Sequence, residues 1–287
     1  MAPAAEDDRS VGRVFRVGFV PQGGDQELRL RTGELVAALT QLLGEETERH
    51  EAADYHGLVA ALERGVVDLG WVPPLVAAPA ALGGGIVPIA VAVRNGGASY
   101  STALIVGAAS PIATVADLHG ARAAWVDRES AGGYAVIRAA LRARGVSLTR
   151  AFGEEIFLRS HARVAAAVRS GLVDAGACYF RYHPGTQEIA RAGWTDEAAG
   201  TEDIRILAEA GPIPSDFFAV HRSVPPARVA ALEAAFVDAR PALLHRLARE
   251  LLHADGFVRA SQDHGAMLRN LLAVSQAAEP RSPLSRP

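Results

Sequence analysis

The sequence predicts an α/β fold in which short strands, paired mainly in parallel, alternate with helices in two similar units. Three observations predict it. Apolar runs of strand length alternate with stretches of helical spacing along most of the 287 residues, the pattern of strand–helix–strand units. Several helical stretches stop at a single glycine, at Gly44, Gly65, Gly145 and Gly171, where a left-handed residue can end the helix. Two segments, LVAALERGVVDLGWV and RVAAAVRSGLVDAGACY, share one plan: a helix, a glycine stop, then a strand with an aspartate near its start. We read them as equivalent helix–turn–strand units whose strand ends face a shared cleft.

Taken in order, residues 14–20 (VFRVGFV) form a strand that Pro21 ends. A polar loop leads to helical spacing over 28–43. Asp54 is placed to cap a helix over 55–64, and 67–72 form a short strand stopped by Pro73 and Pro74. A strand over 86–93 closes the first unit. The second begins with a strand at 102–107, a short turn at 114–118 and a strand at 121–126. A helix over 133–144, a strand at 155–158, a helix over 161–170 and a strand at 173–179 follow. Beyond a polar insertion at 181–201 lie a strand at 204–210 and a return strand at 217–221. Residues 226–274 are expected to be helical, divided at Pro241, and residues 1–11 and 276–287 to be flexible ends.

Composition removes several function classes. Apolar residues make up 49%, charged residues 21%, and the formal net charge is −3, ordinary for a globular protein. There is no long basic run, so neither nucleic acid nor an anionic membrane is indicated as a partner. Lysine is absent, and all 29 basic residues are arginine. Cationic contacts to an anion must therefore come from Arg or His, beside main-chain N–H groups. The single cysteine, Cys178, rules out an internal disulfide and a thiolate metal cluster. His50 and His56 are six apart, off one helical face, and HExxH, Walker, GxGxxG and GxSxG patterns are missing, so no metal, cofactor or nucleophile is indicated. No run reaches about 18 uncharged apolar residues. The first residues are acidic and lack the apolar core of about 7–15 residues that an export signal needs. As written, the chain reads as cytoplasmic, with the periplasm as the alternative if the start is truncated.

One stretch stands out as a site on its own residues. In DRESAGGY (127–134) a strand gives way to a helix. A helix N-terminus offers free N–H groups and a positive partial charge to an oxyanion. Ser130 adds a hydroxyl, Ala131, Gly132 and Gly133 let the main chain approach closely, and Tyr134 ends the motif. The same residues also suit a plain N-cap by Ser130. Glu129 would repel an anion unless it points away.

The ordered set FRVGFVPQ, DYHGLVAALERGVVDLGWVPP, SPIATVADLHGARAAWVDRESAGGY, FLRSHARVAAAVRSGLVDAGACY and ILAEAGPIPSDFF resembles the phosphate, phosphite and phosphonate substrate-binding proteins of ABC transporters. The resemblance spans roughly residues 14–226. It implies a two-lobed type II periplasmic-binding-protein fold, each lobe a mixed, mostly parallel sheet flanked by helices, with a ligand cleft between them. Lobe 1 would hold residues 12–98 plus 212–275, and lobe 2 residues 99–211. It also implies a monomeric, non-enzymatic protein that captures a phosphorus oxyanion and serves a permease. The alternatives are a ligand-sensing module with a signalling partner and a lyase or dehydratase using Asp216, Glu129 or His161.

Residue by residue, the resemblance supports 130–134 as the anion site and adds aromatic hydroxyls at Tyr100 and Tyr55. Ser160 and His161 open the next helix, where His161 can donate to an anion. Asp216 would hold a ligand amine, accept an acid O–H or orient an arginine. Trp71 and Gln22 are weaker candidates for the cleft, and packing is an alternative for each aromatic. Tyr179 and Phe180 end a strand toward the same cleft, and Cys178 suits the core. Charge compensation is expected mostly from helix-end N–H groups and hydroxyls.

Overall fold

The computed structural model describes residues 14–21, 26–183, 185–195 and 203–278. The chain opens with β1 (Phe15–Phe19), α1 (Gln26–Leu43), β2 (Thr47–Glu51), α2 (Tyr55–Glu63), β3 (Leu69–Val72), α3 (Pro74–Leu82) and β4 (Ile86–Val93). It continues through β5 (Ser99–Gly107), β6 (Ala121–Trp125), α4 (Val136–Ala143), α5 (Leu148–Ala151), β7 (Phe152–Phe157), α6 (His161–Arg169), β8 (Ala175–Tyr182), β9 (Ile189–Ala192) and β10 (Ile204–Pro214). It ends with β11 (Phe217–His221), α7 (Pro226–Phe236), α8 (Ala242–Leu252), β12 (Gly256–Arg259) and α9 (Gln262–Ala278).

These strands make two sheets. The first has the order β12-β4-β11-β3-β1-β2, and the second β10-β5-β8-β6-β7 with β9 beside β8. β1 runs parallel to β2 and β3, and β6 runs parallel to β7 and β8. The return strands β11 and β5 are antiparallel to their neighbours, as are β12 to β4 and β9 to β8. Among the described residues antiparallel pairs thus outnumber parallel ones, and the sheets are mixed rather than mainly parallel as expected. The chain crosses between the sheets twice, after β4 and after β10.

The two repeated segments build the same device. In the first sheet Arg16 N–H donates to the Asp68 carboxylate at 2.9 Å, and Asp68 N–H donates back to Arg16 C=O at 2.8 Å. In the second, Arg122 N–H donates to Asp174 at 2.8 Å, and Asp174 N–H returns to Arg122 C=O at 2.9 Å. Each aspartate thus ties the start of its strand to the neighbouring parallel strand. Two residues on, Gly70 and Gly176 let a helix lie close: an added Cβ would come within 2.9 Å of Leu62 and 2.5 Å of Val164.

Each sheet is covered on both faces, as its buried strands require. Phe217 and Phe218 point to opposite faces of β11. Phe218 joins Trp71, Phe236 and Phe257 under α1, α7 and α8, while Phe217 joins Leu58 and Leu62 under α2 and α3. In the second sheet Trp125, Leu141 and Phe152 form one cluster, and Ile105, Val164 and Phe180 the other. Helix α9 packs against α3 and also against α4 and β10. Its Leu268 is buried with Phe217, and its Leu271 with Ala131, Val136 and Ile213.

Several sequence expectations are corrected. β2 is TERHE, a charged edge strand with no alternating apolar signal, as exposed edges tend to be. β12 interrupts the stretch expected to be wholly helical. His253 ends α8 in the left-handed conformation (φ 48°), and Gly256–Arg259 then pairs with β4. α3 tolerates Pro74 at its first turn and carries Pro79 within it. The polar insertion contains β9, and α9 runs to Ala278, past the expected start of the tail. Among the described residues, no helix is long and apolar enough to cross a membrane.

Candidate functional site

The stretch expected to begin an ordinary helix at 133 instead opens with a π-helical turn, Ala131–Ala135, before α4. Such turns are rare and recur at functional sites. Ser130 Oγ accepts from Gly133 N–H at 2.9 Å, and Ala135 N–H reaches Ser130 C=O at 3.0 Å. The N–H groups of Ala131 and Gly132 meet no acceptor among the described residues, as first-turn amides do. The turn needs glycine: a Cβ on Gly133 would sit 2.4 Å from Val126 Cγ2, and one on Gly132 2.9 Å from Tyr100 Cε2. Thr102 Oγ1 fixes it from behind, donating to Gly132 C=O at 2.5 Å.

The contact with Tyr100 brings the turn to the floor of a cleft where the chain crosses between sheets. Tyr100 meets Tyr179 edge-on at 6.4 Å, and Tyr179 meets His161 edge-on at 4.9 Å. Tyr179 N–H points at His161 Nδ1 (3.4 Å), a contact that places the ring proton on Nε2 when the imidazole is neutral. The Arg181 guanidinium lies 5.2 Å from the Tyr100 ring centroid. It donates to Ser99 C=O at 2.6 Å and reaches Ser215 Oγ at 3.4 Å, and so grips both crossing segments. Arg94 caps α8, donating to Leu252 C=O at 2.8 Å and His253 C=O at 3.0 Å, and lies 4.0 Å from Asp216. Together these side chains line a cavity of about 370 Å³.

Burial dominates the electrostatics of this floor. It raises the Tyr100 phenol, with Asp216 adding to the rise, so the hydroxyl stays protonated. It lowers Arg181, helped by repulsion from Arg94, yet a guanidinium remains a cation at any relevant pH. It raises Asp216, while Arg94 and Arg181 pull the other way. A raised carboxyl binds more protons in the folded than in the unfolded chain. Its contribution is therefore full at acid pH and is lost as pH rises through the folded pKa. Asp216→Asn removes that loss. Melting curves of the ligand-free protein should gain more from the substitution at pH 7 than at pH 4, and an equal gain at both would contradict this assignment.

The remaining candidates separate clearly. Tyr55 lines both a cavity of about 460 Å³ against the first sheet and one of about 530 Å³ that includes Ser130. Trp71 lines the former and also packs edge-on to Phe218 at 4.9 Å, so it belongs to cleft and core alike. Glu129 points away from the amides: its carboxylate lies 3.4 Å from His56 Nδ1 on α2. Ser160 caps α6, accepting from Arg163 N–H at 3.2 Å. Tyr134 packs among Trp125, which it meets edge-on, Phe157 and the Arg138 guanidinium. Cys178 and Phe180 are core residues, and Gln22 lies outside the described residues. Among the described residues no group of three or more His, Cys, Asp or Glu is placed to hold a metal ion.

Arg94 and Arg181 went unread in the sequence, and they bring two guanidiniums to the cavity where mostly N–H groups and hydroxyls were expected. Arg181 had a signal: it follows Tyr179 by two positions in β8, on the same face.

A family model described as ABC transporter, phosphonate, periplasmic substrate-binding protein matches residues 17–264. Solved structures show the same fold at low identity. XAC2383 from Xanthomonas citri, bound to ATP, has a TM-score of 0.71 at 20% identity over 92% of this chain and 98% of that one. PhnD1 from Prochlorococcus marinus, in complex with methylphosphonate, has a TM-score of 0.63 at 16% identity over 90% and 96%. The binding-protein component of an ABC phosphonate transporter (PA3383) from Pseudomonas aeruginosa has a TM-score of 0.62 at 19% identity over 94% and 90%.

Proposed function

Because the chain belongs to the family of periplasmic substrate-binding proteins of phosphonate ABC transporters, we propose that it captures a phosphorus oxyanion, a phosphonate, phosphite or phosphate, between its lobes. Members of this family bind substrate for a permease and are not enzymes. The observation that carries the ligand reading is that Gly132, whose amide and that of Ala131 meet no acceptor among the described residues, packs against Tyr100, which shares a cavity with His161, Arg181 and Arg94.

In this reading the amides and Ser130 take the oxyanion, His161 Nε2–H and the Tyr100 hydroxyl donate to it, and the two guanidiniums balance its charge. Tyr55 and Trp71 form the opposing wall. Asp216 takes a ligand amine or acid O–H. Residues 12–98 with 212–275 form one lobe and 99–211 the other. Ligand closes them because it gains contacts from both only in the closed form. The protein acts as a monomer that delivers ligand to an ABC permease in the periplasm, the compartment of its family.

A thermal-shift panel of phosphate, phosphite, methyl- and aminoethylphosphonate, sulfate and acetate tests this. A ligand at about 100 times its Kd should add roughly 2.7 kcal/mol of stability. Ser130→Ala should cost about 1 kcal/mol of stability through the lost cap and weaken the best ligand about tenfold. Silence from every phosphorus oxyanion would refute the ligand, and parent-like binding by Ser130→Ala would remove the serine from the site.

A further inference from the structure

The cleft does not end at the oxyanion floor. Arg94, Asp216 and His253 border both the floor cavity and the cavity of about 460 Å³ against the first sheet. That second space lies within the range of about 300–1,000 Å³ used for drug-sized ligands, far more than a bare phosphonate fills. It opens at the carboxyl ends of the parallel strands β1, β2 and β3, through Phe19, Glu51 and Trp71, the edge where open α/β sheets hold their ligands.

Its lining is ordered by chemistry. Near the floor are Arg94 and Asp216. In the middle Phe19 and Trp71, 9% and 8% exposed, offer an apolar wall. At the far end, beyond β1 in the sheet order, stands Arg49 of β2, and its bond to Arg29 C=O at 3.3 Å puts Arg29 beside it. Arg49 is held in place by its bond to Thr32 Oγ1 at 3.1 Å and its pairing with Glu51 at 2.9 Å. Three guanidiniums therefore face two carboxylates, and the far end alone carries two against one. A positive surplus beyond an apolar wall suits a ligand whose far end is also negative.

We infer that the ligand is an organic phosphonate or phosphate monoester with an apolar body and a second anionic group, the body lying on Phe19 and Trp71 and the second group on Arg29 and Arg49. This rests on the phosphorus-oxyanion reading above and adds the size and second charge of the substrate.

Calorimetric titration with methylphosphonate, phenylphosphonate and 4-carboxyphenylphosphonate tests it. Kd should fall in that order, with the carboxylate adding roughly 10- to 100-fold, the worth of one hydrogen bond to a charged group. Arg29→Gln and Arg49→Gln should each remove that gain and leave methylphosphonate unchanged. Arg29 is an exposed position on α1, so its variant tests the site even if Arg49→Gln perturbs β2. Equal binding of the three compounds, or a loss that falls equally on all three in the variants, overturns the inference alone. If none of the three binds, the inference falls, and the phosphorus-oxyanion reading falls with it only if phosphate and phosphite are silent too.

Discussion

Arg181→Met is expected to weaken oxyanion binding by about two to three orders of magnitude. Truncating one partner of a buried, hydrogen-bonded charge network costs about 2–5 kcal/mol, and each 1.4 kcal/mol is about a factor of ten in Kd. Arg181 is only 8% exposed, so its charge is poorly screened by water. The methionine removes a cation from the cleft floor and leaves Asp216 with Arg94 alone. It also frees the Ser99 carbonyl and Ser215 hydroxyl that Arg181 holds together, loosening the two crossings about which the lobes would close. Arg181→Lys should fall between parent and methionine variant, keeping the charge and losing the planar fork. Calorimetric Kd values with the best phosphorus oxyanion decide this, and a methionine variant that binds like the parent would remove Arg181 from the site.

Phe218→Ala is expected to destabilise the first sheet's core by about 3–5 kcal/mol, the usual cost of emptying a buried phenylalanine site. Phe218 is fully buried, stacked on Phe236 at a centroid distance of 4.1 Å and edge-on to Trp71 at 4.9 Å. Neighbouring rings cannot collapse into the space without giving up their own contacts. Urea unfolding followed by tryptophan fluorescence, with Trp71 as the local reporter, should give a large fall in midpoint. A loss below about 1 kcal/mol would mean that the aromatic cluster repacks freely, against the close packing expected of such cores.

The legible parts of this protein were those encoded locally. Strand–helix alternation, the glycine stops and the twin segments lie within short windows, and the SAGGY turn joins its amides in a contiguous run. The π turn itself was not legible, because it depends on Val126 and Tyr100 crowding Gly133 and Gly132. Arg94 was hidden for a similar reason: its partner carbonyl at Leu252 lies 158 residues away. Ser160 illustrates an ambiguity of chemistry, since serine suits both anion sites and helix caps, and here it caps α6. β2 and β12 escaped because edge strands need little apolar alternation, and only their partners β1 and β4 define them.

The paired aspartates separate two demands that often conflict. Asp68 and Asp174 fasten strand to strand at the starts of β3 and β8, while Trp71, Tyr179 and Arg181 stand toward the opposite ends. The fastening of the framework and the proposed recognition surface are thus a strand's length apart. Exchanges at the cleft end can retune which anion is held while the bonds that register each sheet stay intact. A scaffold divided in this way can change its ligand by few substitutions and keep its shape.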